Sequence, residues 1–143
     1  MIGLFIAMIS GALMSVQGVF NTQVTKASSI WATNCFVQFS AFLVCLIIWG
    51  FSDRTSLTSV FQVQPRYMLL GGAIGAFITY TVVKSMEMLG PARAVMLIVT
   101  AQLLVAYLIE LSGLFGVEKV DFVWKKVIGM VLAIAGIVIF KWE

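Results

Sequence analysis

Apolar residues run in blocks of roughly twenty along this chain, and the polar residues gather in short stretches between them. Five blocks cover nearly everything: residues 2–20, 30–51, 67–86, 92–112 and 123–142. Each is as long as a helix must be to cross about 30 Å of hydrocarbon. The pattern predicts a single domain over residues 1–143 with five transmembrane helices, connected by NTQVTKASS, SDRTSLTSVFQVQPR, EMLGP and GLFGVEKVD. The first block has no basic stretch ahead of it and no cleavage site after it, so it reads as a span rather than a signal peptide. In EMLGP, glycine suits a left-handed helix end and proline suits the first position of the next helix, which predicts a tight hairpin at Gly90-Pro91. Trp31, Trp49, Tyr67, Trp124 and Trp142 fall near block ends, where aromatic belts meet the headgroups.

Composition agrees with the pattern. The chain has 143 residues, of which 62% are hydrophobic and 10% charged, whereas about a quarter of the residues in soluble domains are charged. With a mean hydropathy of +1.08, this is an all-α integral membrane protein whose first partner is the lipid bilayer. No histidine occurs, which excludes Ser-His-Asp triads and histidine-containing metal centres; no metal site and no cofactor are expected. Nucleophile, base and orienting group never occur together, so the chain does not read as an enzyme. No run of Lys or Arg suggests nucleic acid. Cys35 and Cys45 share one predicted helix about 15 Å apart along its axis, too far to bridge, and read as core packing residues.

Charge placement adds an unusual element. With five spans, Arg54, Arg66, Lys119, Lys125 and Lys126 fall on one side of the membrane, and Lys26, Lys84, Arg93 and Lys141 on the other, a split of five against four. The positive-inside rule then fixes no orientation. Two copies inserted in opposite senses would pair head to tail and supply the inverted repeat that many transporters carry within one chain. Small residues mark where helices can approach: Gly3, Ala7, Gly11 and Gly18 on the first, Gly71, Gly72, Gly75 and Ala76 on the third, Gly129, Ala133 and Gly136 on the fifth. The last stripe, on the helix poorest in polar residues, is the expected dimer interface.

Polar residues at membrane depth are the candidate site. Gln17 and Asn21 lie four apart on one helical face, and Asn34 and Gln38 repeat the spacing on the second helix with Trp31 one turn earlier. The third helix carries Thr79, Tyr80 and Lys84; the fourth carries Gln102, Tyr107 and Glu110. The amides either satisfy one another as helix glue or line a cavity for a polar solute. Trp31, Tyr80 and Tyr107 could cover an organic cation. Glu110 is the one acid inside an apolar block. In an antiparallel pair, Lys84 or Arg93 of one copy reaches the depth of Glu110 in the other, giving a coupling or inter-subunit charge; alternatively both bases snorkel to the interface.

QGVFNTQV, GGAIGAFITY, LGPARAV and AQLLVAYLIELSGLFG, in this order, resemble the YdcZ-like family of the drug/metabolite transporter superfamily. The resemblance implies a half-size, five-helix version of a ten-helix transporter, working as an antiparallel homodimer, or with a paralogous second chain, in the bacterial inner membrane. It also implies roles for Gln17, Asn21, Gln102 and Glu110. The small multidrug resistance proteins of that superfamily carry an essential glutamate in their first helix; here that helix has no acid. The expected function is a transporter subunit moving a small polar or amphipathic metabolite by alternating access. The alternatives are a passive channel or facilitator, and a non-transporting membrane assembly subunit.

Overall fold

A computed structural model of the chain describes residues 1–140; Lys141, Trp142 and the end of the fifth block lie outside the described residues. Five α-helices account for most of it: α1 (Ile2–Ala27), α2 (Ile30–Ile48), α3 (Gly71–Leu89), α4 (Pro91–Ser112) and α5 (Trp124–Phe140). No strand occurs among the described residues. Among the described residues, four helical stretches are long and apolar enough to cross a membrane: Ile2–Ala27, Ile30–Asp53, Arg66–Leu89 and Pro91–Ser112. As described, α5 has 17 residues, about 25 Å of helix, slightly less than the hydrocarbon thickness.

The first connection corrects the sequence reading. Asn21 to Ala27 is not a loop: α1 runs on to Ala27, and only Ser28 and Ser29 separate it from α2. At 26 residues α1 is about 39 Å long, so its last turns outreach the hydrocarbon and can be polar without ceasing to be helical. Their hydroxyls fold back on the helix. Thr22 Oγ1 donates to the Gly18 carbonyl at 2.8 Å and Ser28 Oγ to the Val24 carbonyl at 2.9 Å. Ser29 then caps α2, its hydroxyl accepting from the Ala32 amide at 3.2 Å.

The other boundaries follow local chemistry. The α-helical part of α2 ends at Ile48, and a wider π-helical turn, Trp49–Asp53, closes on Arg54 in the left-handed region at φ 53°. The indole Nε1 of Trp49 donates to the Thr55 carbonyl at 2.9 Å and pins that turn. The stretch read as a plain connection contains a 3-10 turn, Leu57–Gln62, and the third apolar block opens with another, Arg66–Leu70, that runs directly into α3. Gly90 has φ 80° and ψ 157°, not the left-handed helical cap expected but an extended region that only glycine enters freely. Pro91 follows at the first turn of α4, where its missing amide hydrogen leaves no bond unmade.

Two compact units make up the chain, Met1–Met88 and Leu89–Glu143. In the first, the polarity of a soluble protein is inverted. Buried positions on α1 and α2 are Gly18, Asn21, Thr22, Thr25, Thr33 and Asn34, joined by Val83 and Met86 of α3, while leucines, isoleucines and phenylalanines face outward along all three helices. Such a surface is stable only in hydrocarbon, where apolar side chains meet a solvent as apolar as they are. Cys35 and Cys45 are free thiols, and both are exposed on α2 rather than packed as expected, because the buried side of α2 is the one carrying Thr33 and Asn34.

Candidate functional site

Three polar assemblies organise the described residues, two in the first unit and one in the second. The first is a hydroxyl relay at the α1–α2 turn. Thr25 Oγ1 donates to Thr33 Oγ1 at 3.1 Å, and Thr33 Oγ1 lies 3.1 Å from Ser28 Oγ. Because the one Ser28 proton goes to the Val24 carbonyl, Thr33 must donate to Ser28. All protons in the relay therefore point one way, and no buried hydroxyl in it is left without a partner.

The second assembly joins α2 to α3. Trp31, Asn34 and Gln38 do share a face, as their spacing requires, and that face meets α3. The rings of Trp31 and Tyr80 stack with centroids 5.0 Å apart and planes inclined by 23°. Asn34 Nδ2 donates to the Ala76 carbonyl at 2.8 Å. Gln38 Nε2 lies 3.3 Å from Thr79 Oγ1 and 3.4 Å from Asn34 Oδ1. The amides of α2 thus find an α3 backbone carbonyl, an α3 hydroxyl and each other rather than Gln17 and Asn21.

The two α1 amides stand apart in different ways. Gln17 is exposed, beside an open apolar groove formed by Ile6, Leu13 and Met14 of the same helix. Asn21 is only 8% exposed, yet its side chain makes no hydrogen bond among the described residues. Among the described residues no fully enclosed side-chain polar atom lacks a partner, so the Asn21 amide keeps a little accessible surface. It sits between two close contacts of α1. One turn before it, a Cβ on Gly18 would stand 2.5 Å from Met86 Cε of α3; one turn after it, Thr25 bonds to Thr33 of α2.

The second unit holds the third assembly. Tyr107 is buried, and its hydroxyl accepts from the Val123 amide at 3.1 Å, tying the start of α5 to the C-terminal part of α4. Glu110, in the last turn of α4, receives Lys126 Nζ at 2.9 Å, and the same ammonium lies 5.2 Å from the centre of the Tyr107 ring. A crevice of about 360 Å³ beside them is lined by Leu103, Ala106, Gly129 and Met130 as well.

The remaining predicted residues are placed as follows. Gln102 is exposed on α4 without a side-chain hydrogen bond. Lys84 lies 3.4 Å from Glu87 on its own helix. Arg93, in the first turn of α4, borders a cavity of about 90 Å³ with Leu97 and Ile137 and forms no ion pair among the described residues. Gly129, Ala133 and Gly136 are exposed, and a Cβ on either glycine would meet nothing within 4 Å. No group of three or more metal-ligating acids or cysteines occurs among the described residues. Sequence reasoning missed the Thr22, Thr25 and Thr33 hydroxyls and the role of Lys126. The available signal was that Asn21 and Thr25 repeat the four-residue spacing of the amides, and that an acid ends α4 where a base begins α5.

Long apolar helices, with the buried polar side chains of the first unit carried on α1 and α2, define a multi-pass membrane protein. Residues 2–139 match the family described as "Putative inner membrane exporter, YdcZ". The chain belongs to that family, as its four motifs indicated, and is a multi-pass protein of the inner membrane. No curated protein and no solved structure matches it.

Proposed function

We propose that the chain is one subunit of an alternating-access carrier, assembled as a dual-topology antiparallel homodimer of five-span copies that moves a small polar or amphipathic metabolite. The description of its family favours export as the direction. The observation that carries the reading is Asn21, a residue only 8% exposed whose side-chain amide makes no hydrogen bond among the described residues. A solute that both donates and accepts supplies the hydrogen bonds that this amide does not make within the chain. Gln17, in the same unit and also without a side-chain hydrogen bond among the described residues, is a further amide free to meet cargo. Trp31 and Tyr80 form a wall, while Asn34 and Gln38 hold it in place. The balanced charges and the open glycine face of α5 support pairing of inverted copies.

A second reading has its own support. Asn34 and Gln38 already bond within the chain, which favours polar groups as helix glue in a non-transporting assembly subunit. Counterflow separates the readings. Proteoliposomes are loaded with amino acids, amino alcohols and short alkylamines, and uptake of each radiolabelled compound is followed with and without its unlabelled form inside. A carrier shows trans-acceleration for at least one compound, lost in Asn21→Ala at unchanged thermal stability. Uptake without trans-acceleration makes it a channel, and uptake of none leaves the assembly role.

A further inference from the structure

The geometry points to a binding site for an amphipathic ammonium group at the junction of α4 and α5, at present filled by the side chain of Lys126. Three independent features converge there. The Glu110 carboxylate accepts the Lys126 ammonium at 2.9 Å. The Tyr107 ring presents its face 5.2 Å from the same nitrogen, and ring faces attract cations through their quadrupole. The ring cannot turn away, because its hydroxyl is held by the Val123 amide. Beyond the cation, the crevice of about 360 Å³ offers Leu103, Ala106 and Met130, an apolar wall fit for an alkyl tail.

A carboxylate, an aromatic face and an apolar slot are together the requirements of an alkylammonium ion. Lys126 meets the first two with its own head. Its side chain is still 43% exposed and that of Glu110 42%, so neither is locked in by burial and an outside cation can reach the carboxylate. Lys126 is thus a tethered competitor. The untethered occupant is either a soluble alkylamine or the ethanolamine headgroup of a phospholipid, since both present the same ammonium and Glu110 lies in the last turn of its helix, where headgroups are in reach. The inference concerns the second unit alone and does not depend on the carrier reading.

Chemical rescue tests it. Purified Lys126→Ala in lipid-free detergent is heated with and without n-hexylammonium, beside wild type and the Glu110→Gln/Lys126→Ala double variant. The expected result is a rise in the melting temperature of Lys126→Ala, with half-saturation about tenfold or more below that of wild type, where the tether competes, and no rise in the double variant. In nanodiscs, stabilisation of Lys126→Ala by phosphatidylethanolamine over phosphatidylglycerol identifies the headgroup as the source; equal stability in both, with hexylammonium still effective, identifies the soluble amine. Should Lys126→Ala not fold, the wild type answers the question: hexyltrimethylammonium, which cannot be acylated, must speed acylation of Lys126 read by peptide mass spectrometry. A melting temperature of Lys126→Ala that ignores hexylammonium, a response equal in the double variant, or an acylation rate unmoved by the quaternary amine makes Lys126–Glu110 a plain structural latch and overturns the site.

Discussion

Gly18 is where the side chains of Met86 and Val82 of α3 reach α1, and replacing it perturbs the frame around Asn21 without touching a polar group. A Cβ there would stand 2.5 Å from Met86 Cε, 2.9 Å from Met86 Sδ and 3.4 Å from Val82 Cγ1, against ordinary carbon contacts of about 3.5–4.0 Å. For Gly18→Ala the obstacle is the tip of an unbranched side chain that can swing aside, and the lost contact is offset by about 0.5–1 kcal/mol of helix propensity gained. Its stability should therefore stay within about 1 kcal/mol of wild type. For Gly18→Val, the branched side chain has one good helical rotamer and also meets Val82, so the helices must part at a cost of about 1–3 kcal/mol. Adding Met86→Ala removes the main obstacle. The double variant should lose less than the sum of the single losses, by about 0.5–3 kcal/mol. Reversible unfolding in mixed micelles, followed by circular dichroism, measures all four proteins. A Gly18→Val as stable as wild type, or strict additivity with Met86→Ala, would refute the close approach of the two helices.

Three further outcomes follow from the hydrogen bonds. Asn34→Leu removes the 2.8 Å bond to the Ala76 carbonyl and should cost about 0.6–1.7 kcal/mol in the same unfolding assay, the range for polar contacts between membrane helices. Thr33→Val breaks the relay at its centre, leaving the Thr25 hydroxyl without its acceptor; about 1–2 kcal/mol should be lost, while Thr25→Val/Thr33→Val recovers part of it because no orphan remains. Tyr107→Phe frees the Val123 amide, so hydrogen exchange at Val123 should speed up by about tenfold, with exchange in the middle of α4 unchanged.

What could be read from the sequence was set by hydropathy and helical period. The blocks located α2, α4 and the apolar part of α1 because lipid demands long apolar runs. The period placed Trp31, Asn34 and Gln38 on one face. Hydropathy measures fit to hydrocarbon, however, and says nothing of helix that projects beyond it. That is why Asn21 to Ala27 read as loop although Thr22 and Ser28 bond back to their own helix. Period, likewise, assigns a face without naming its neighbour. The partners of Asn34 and Gln38 were sought on α1 and lie on α3, a backbone carbonyl and a threonine hydroxyl that no residue count singles out. Glu110 was read as the lone acid of its block, while its partner Lys126, sixteen residues on in the fifth block, was counted only among the charges of one membrane side. A base in the first turn of one helix opposite an acid in the last turn of the helix before it is a signal that helix boundaries make visible.

The dual-topology claim is met most directly by labelling. Single cysteines at Ser28, Ser59 and Glu118, in a background with Cys35→Ala and Cys45→Ala, would be exposed to a membrane-impermeant maleimide on intact cells and on inverted vesicles. All three positions are exposed, so protein packing does not limit reaction. Inverted pairing of copies predicts that each cysteine is modified from both sides to comparable extents. Modification of every position from one side only, with Ser28 opposite Ser59, would contradict it.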